Sequence, residues 1–210
     1  MKNPPAGVYA APANAANMRI RPVRPRAAEA SAPVSAAQVV FLVGFMGAGK
    51  SSVGQALARY LKWAFEDLDR RIEAREGRAI EQIFQQSGEA SFREAEHAAL
   101  RELLAEPRTQ RVVALGGGAF AQAPNALLIK QAGGRVVFLD APVDELFRRC
   151  RQENAERPLL RSREQFRQLY ESRRPSYAQA EHQIETSDKD VDTIAAEVAR
   201  RLGLRAREDR

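Results

Sequence analysis

Apolar residues along this chain fall into short runs, separated by longer stretches in which they recur at helical spacing. Gln38-Val39-Val40-Phe41-Leu42-Val43 is one such run, with β-branched and aromatic residues. Behind it, Val53, Ala56, Leu57 and Leu61 mark one face of a helix over residues 52–61. Further strand patterns lie at 63–67, 111–115, 135–139 and, more weakly, 183–185. Helical patterns lie between them, and the last covers 191–202, with Ile194, Ala195, Val198 and Leu202 on one face. This alternation predicts an α/β fold: a parallel sheet covered by helices on both sides. Ligands of such sheets sit beyond the carboxyl ends of the strands.

The first strand runs straight into Gly44-Phe45-Met46-Gly47-Ala48-Gly49-Lys50-Ser51, which fits the phosphate-cradling pattern G-x-x-x-x-G-K-[ST]. Its glycines let backbone N–H groups approach phosphate oxygens. Lys50 brings a point charge toward the β- and γ-phosphates, and Ser51 offers a hydroxyl to a magnesium ion. Strand, glycine loop and helix follow in the order the pattern requires. P-loop proteins often place an Asp at the end of a second strand to hold magnesium through water. Here the strand at 111–115 ends in Gly116, so that carboxylate must come from elsewhere.

Composition changes this picture little. The chain has 210 residues and a formal charge of +6, enough length to bury a core. Residues 1–37 hold Lys2, Arg19, Arg21, Arg24 and Arg26 against Glu29, so +4 of that charge lies there. The body suits anionic small substrates as well as it suits any polyanion, and nucleic acid is not called for. The same 37 residues are rich in Ala, Pro and Arg, without apolar periodicity, and read as a disordered tail. An organellar transit peptide is the sharper alternative, but Pro22 and Pro25 would break its amphipathic helix. Cys150 is the only cysteine, which excludes an internal disulfide and fits a cytoplasmic protein. No apolar stretch approaches the roughly 20 residues of a membrane span.

Several residues at predicted strand ends carry chemistry. Asp67 and Asp69 close the second strand. Residues two apart in a strand point the same way, so both carboxylates would face the cleft, one toward magnesium and one toward an acceptor hydroxyl. They would equally serve as caps for a helix over 70–76. Gly116-Gly117-Gly118 would bring backbone N–H groups to a ligand, or simply turn the chain into a helix. Phe92-Arg93-Glu94-Ala95-Glu96 opens a helix to about Leu104. In it Arg93 and Glu96 stand one turn apart, as a preorganised carboxylate grip or as a solvated ion pair. The polar stretch from Arg148 to Leu160, ending Arg157-Pro158-Leu159-Leu160, reads as a flap over phosphates or as an exposed helix and loop. His97 and His182 have no metal-like partners and read as structural or surface residues; Trp63 reads as core.

Taken together these motifs resemble the shikimate kinase family, over about residues 39 to 202. The resemblance rests on residues 44–51, Phe65-Glu66-Asp67-Leu68-Asp69 with Ile72-Glu73, and Ile83-Phe84 with Gly88-Glu89. It continues through Phe92-Arg93 and Glu96, Gly116-Gly117-Gly118, Arg157-Pro158-Leu159-Leu160, and Arg173-Arg174-Pro175-Ser176-Tyr177. It implies a nucleoside-monophosphate-kinase-like, three-layer P-loop fold with a five-stranded parallel sheet, a lid and a substrate-binding segment. It also implies transfer of the γ-phosphoryl group of ATP to the 3-hydroxyl of shikimate, by a monomer, with Mg²⁺.

Carried over, Gly47, Ala48, Gly49, Lys50, Ser51 and Ser52 would hold ATP, with Arg157 on its phosphates and Arg149 on the adenine side. Ser51 and Asp67 would hold Mg²⁺. Asp69 would bind the acceptor hydroxyls and act as base. Arg93 and Arg173 would grip the shikimate carboxylate, with Glu96 orienting Arg93, and Gly116, Gly117 and Gly118 would meet a hydroxyl through backbone. The kinase domain would then span 38–204, followed by a charged end at 205–210. The long tail and a slightly long lid stand outside the family's usual pattern. The rivals are a gluconate or nucleoside monophosphate kinase of similar fold, and a non-catalytic P-loop protein. Retention of Lys50, Asp69 and Arg93 argues against the latter.

Overall fold

Five strands lie side by side and parallel in the computed structural model, which describes residues 38–107, 110–152 and 162–205. They are β1 (Val39–Val43), β2 (Ala64–Asp67), β3 (Arg111–Ala114), β4 (Arg135–Asp140) and β5 (His182–Glu185), in the order β2-β3-β1-β4-β5. β1 is the axis of the sheet. Val39 to Leu42 pair with Arg111 to Ala114 on one side, and Val40 to Val43 with Arg135 to Phe138 on the other. Val40, Phe41, Leu42, Val112, Val113, Val137 and Leu139 have no exposed surface. The sheet is therefore covered on both faces, as parallel sheets require.

The helices are α1 (Lys50–Leu61), α2 (Leu68–Glu76), α3 (Ile80–Ala105), α4 (Ala123–Gln131), α5 (Val143–Gln152), α6 (Arg163–Tyr177) and α7 (Val191–Arg201). α1 packs on α7, and α2 on α3. None of the described helices is long and apolar enough to cross a membrane.

Most boundaries fall within two residues of the sequence expectation, and three of the differences have a local reason. Lys62 takes a left-handed conformation after α1, and Trp63 N–H donates back to Ala58 O at 2.9 Å. Trp63 thus belongs to the helix cap, and β2 begins at Ala64. The helix read from Phe92 begins twelve residues earlier, at Ile80, with a break at Gly88 (φ 78°, ψ 175°). β4 runs one residue further, to Asp140, because that residue still pairs with Glu185 of β5. The tail at 1–37, most of the charged end and Arg157, Pro158 and Leu159 lie outside the described residues.

Candidate active site

The loop after β1 is shaped by backbone. Gly47 and Gly49 sit at φ +77° and +82°, a region that disfavours every residue with a Cβ. A side chain on Gly47 would also meet the Leu146 carbonyl oxygen at 2.7 Å and Cys150 Sγ at 2.9 Å. The loop is therefore laid directly on α5. Gly49 is the N-cap of α1 and offers no side chain to its first turn. Those N–H groups, at the positive end of the helix dipole, form a ready anion site. Lys50 Nζ donates to Phe45 O at 3.0 Å, which folds the ammonium back over the loop. Ser52 is exposed in the same first turn.

Ser51 and Asp67 come together as the resemblance implies, with Ser51 Oγ donating to Asp67 Oδ2 at 2.6 Å. Asp67 also caps α2, its Oδ1 accepting from Asp69 N (3.1 Å) and Arg70 N (3.4 Å). Asp67 thus caps the helix through Oδ1, while Oδ2 is turned to Ser51. The two-residue strand argument does not extend to Asp69, because the chain turns helical at Leu68. Asp69 lies in the first turn of α2 and reaches the glycine loop from there: a methyl group on Gly116 would collide with its Oδ1.

Gly116 and Gly118 need to be glycine because side chains crowd them, whereas a Cβ on Gly117 would make only ordinary contacts; none of the three has a positive φ. A Cβ on Gly118 would sit 2.8 Å from both terminal nitrogens of Arg93. The Gly117 carbonyl is claimed from behind by α6, accepting from Arg173 Nη1 at 3.3 Å and from the Tyr177 hydroxyl. Tyr177 is buried, and burial pushes its hydroxyl up to about 12, so it stays a neutral donor. Asp69, Arg93, Arg173 and Tyr177 thus arrive from α2, α3 and α6 on one three-residue loop.

Arg93 is held from two sides. Nη1 donates to Glu96 Oε2 at 3.0 Å, and Nε and Nη2 donate to Glu89 Oε1 at 3.3 and 3.0 Å. Burial works against its charge, but Glu96 and Glu89 outweigh it and raise its affinity for the proton. The guanidinium carbon lies 5.1 Å from the Phe92 ring centre, and Phe92 stacks on Phe84 at 4.6 Å. The two rings form an apolar wall beside the cation.

Glu96 has no exposed surface, and burial pushes its carboxyl up to about 7; Arg93 opposes the rise, and nearby Asp69 adds to it. Among the described residues its Oε1 has no hydrogen-bond partner, and it lies 3.4 Å from the place a Gly116 methyl would occupy.

Arg149 is fixed on the other side of the P-loop. Its Nη1 and Nη2 donate to Thr186 Oγ1 (3.1 Å) and Thr186 O (2.9 Å), and Nη2 also pairs with Glu145. Arg148, its neighbour in α5, is mostly exposed.

Sequence reasoning missed Asp140. This buried carboxylate at the end of β4 accepts from Ala141 N, Tyr170 Oη (3.2 Å), Arg174 Nη2 (2.8 Å) and Gln183 Nε2 (3.0 Å). It pins α6, and with it Arg173, against the sheet. The available signal was an acid at the end of a strand, the position Asp67 occupies in β2.

The oxygen donors Ser51 and Asp67 suit a hard cation such as Mg²⁺. No group of three or more His, Cys, Asp or Glu able to hold a metal occurs among the described residues. A magnesium ion here would therefore bring other oxygens with it, from phosphate and water.

Residues 46–203 match the family model described as shikimate kinase. The chain belongs to the shikimate kinase family. The shikimate kinase of Persephonella marina is 40% identical over 164 residues, which cover 78% of this chain and 98% of that protein. The solved shikimate kinase of Acinetobacter baumannii, in complex with shikimate, superposes with a TM-score of 0.72 at 38% identity, covering 79% of this chain and 92% of that one. A gluconokinase from Sinorhizobium meliloti shares the fold at a TM-score of 0.52, but only 17% of residues. As a shikimate kinase, the chain is an ATP-dependent phosphotransferase of aromatic biosynthesis, and the gluconate rival is reduced to a likeness of fold.

Proposed function

We propose that the cluster over Gly116-Gly117-Gly118 is the shikimate subsite, and that residues 47–52 hold the ATP whose γ-phosphoryl group passes to the 3-hydroxyl. The convergence of Asp69, Arg93 and Arg173 on that one loop carries this reading. Shikimate is a small polyol acid, which calls for cations at its carboxylate and hydrogen-bond partners at its hydroxyls. Arg93 and Arg173 take the carboxylate, and Glu96 and Glu89 keep Arg93 aimed. Asp69 accepts the proton of the 3-hydroxyl as it attacks. The loop N–H groups are left to face the substrate, because the Gly117 carbonyl is already occupied.

Phosphoryl transfer needs mainly positioning and charge stabilisation. Lys50 and the α1 first-turn amides supply both at the phosphates. Mg²⁺, held by Ser51 and, through water, by Asp67, would neutralise charge on the β- and γ-oxygens. Arg149 stands on the adenine side. Arg157 is assigned to the transferring phosphate on family grounds alone. We further assign catalysis to residues 38–204, without the tail, in a cytoplasmic monomer.

A coupled ADP-release assay tests this, offering shikimate, gluconate and nucleoside monophosphates with MgATP. Turnover is expected with shikimate only, and Asp69→Asn should retain the fold and lose at least about 10²-fold in kcat/KM. A folded Asp69→Asn enzyme with near-wild-type kcat/KM would overturn the role of Asp69. Turnover with another acceptor would overturn the subsite.

A further inference from the structure

The underside of the glycine loop is held by a residue pair that the reaction scheme leaves unused. Asn125 in α4 is 1% exposed, one of the few polar side chains in the core. Its Nδ2 donates to Ala119 O at 3.1 Å, and its Oδ1 lies 2.7 Å from His97 Nδ1. Ala119 is the residue after Gly118, and its own N–H donates to Gly116 O at 3.1 Å. The turn is thus closed on itself, and its Ala119 carbonyl is held to α4 by Gln122 N (3.2 Å) and by the one side-chain amide of Asn125.

His97 sits on α3, one residue beyond Glu96 and one helical turn beyond Arg93. The same helix therefore presents Arg93 to one side of the loop and ties down the other side through Asn125. Because Asn125 Nδ2 is spent on a carbonyl, its oxygen must face His97, and His97 Nδ1 must carry the proton. That donor is present whether the ring is neutral or charged. His97 Nε2 is not needed for the tie. The pair borders a surface cavity of about 480 Å³ shared with Arg93, Arg101 and Gln122.

We propose that His97 and Asn125 are positioning residues for the acceptor: they set the height of the glycine loop against Arg93. Arg93 lies where a Gly118 Cβ would be only 2.8 Å away. A shift of a few tenths of an ångström in the loop therefore alters the arginine that meets the substrate carboxylate, while the P-loop is untouched. The inference rests on the assignment of this loop to shikimate.

Steady-state kinetics on the full chain tests it, with the wild type measured first. Absence of wild-type shikimate turnover would sink the assignment of the subsite rather than this inference. His97→Leu should raise KM for shikimate by about 5- to 10-fold, with kcat and KM for ATP changed less than about twofold. His97→Asn, whose amide nitrogen can stand where Nδ1 stood, should return the shikimate KM to within about twofold of wild type. An unchanged shikimate KM in folded His97→Leu overturns the proposal. So does an equal loss toward both substrates, which a merely structural residue would give. If His97→Leu melts early, His97→Gln gives the same reading: its amide stands where Nε2 stood, so it removes the Nδ1 donor to Asn125 and keeps a polar side chain there. A raised shikimate KM alone supports the tie, and an unchanged one removes it.

Discussion

On the proposed nucleotide side of the cleft, residues 47–52 would supply nearly everything from one stretch of chain, and mostly through backbone. On the acceptor side, Asp69, Arg93, Glu96, Arg173 and Tyr177 come from three helices and meet only because the sheet order brings their elements together. The first site is local and needs glycines at positive φ. The second is tertiary and needs glycines where side chains must come close. A backbone site tolerates drift elsewhere in the fold. A side-chain site depends on every helix that feeds it, which is why Asp140 and Tyr177 are buried behind it.

The largest expected effect lies on the local side. Lys50→Ala should leave the fold intact and lower kcat/KM by about 10³-fold, since the ammonium has no substitute over the loop. Circular dichroism with the ADP-release assay checks this. A residual rate within about tenfold of wild type would mean that the amides alone carry the phosphate charge.

The next effect sharpens the tertiary side through Glu96. Its carboxyl is raised in the folded chain from an ordinary 4.5 to about 7. The folded state therefore binds the proton more tightly than the unfolded state. The stability this contributes is full below about 4.5 and is lost as pH rises through about 7. Glu96→Gln cannot ionise, so its melting temperature should fall less across that window than the wild type's. Activity should run the other way. Ionised Glu96 aims Arg93, so wild-type kcat/KM for shikimate should climb a few-fold over the same window and the Gln variant should stay flat. Parallel pH profiles for the two proteins would separate Glu96 from the titration.

Arg149→Ala should give the smallest effect. It should raise KM for ATP by about twofold and leave KM for shikimate unchanged. Movement of the shikimate constant instead would show that α5 serves the acceptor half.

This contrast also explains what could be read from the chain beforehand. β1, β3 and β4 were visible because apolar β-branched runs are unambiguous when flanked by helical periods, and β2 and the weaker β5 were legible from their places between helical patterns. The P-loop was legible down to the residue, because its chemistry and its spacing are the same thing. On the acceptor side, Arg93–Glu96 or Asp67–Asp69 alone left two readings each, and only the joint match of distant motifs decided between them. Asp140, Asn125 and the Thr186 partner of Arg149 were not legible. Their importance lies in partners 6 to 43 residues away, which no periodicity encodes. The early start of α3 was hidden because Gly88 interrupts the helical period between Ile80 and Phe92.

That interruption has a mechanical meaning. Gly88 occupies a backbone region that essentially only glycine populates, yet a Cβ placed there would touch nothing within 4 Å. Its identity is therefore dictated by two torsion angles and not by packing. Phe84 stands ahead of this swivel and Phe92 behind it, so the angle between the two halves of the aromatic wall is set by one residue's rotation. The width of the acceptor pocket is inherited from the backbone, and a change at Gly88 would re-aim the wall while every pocket-lining side chain kept its identity.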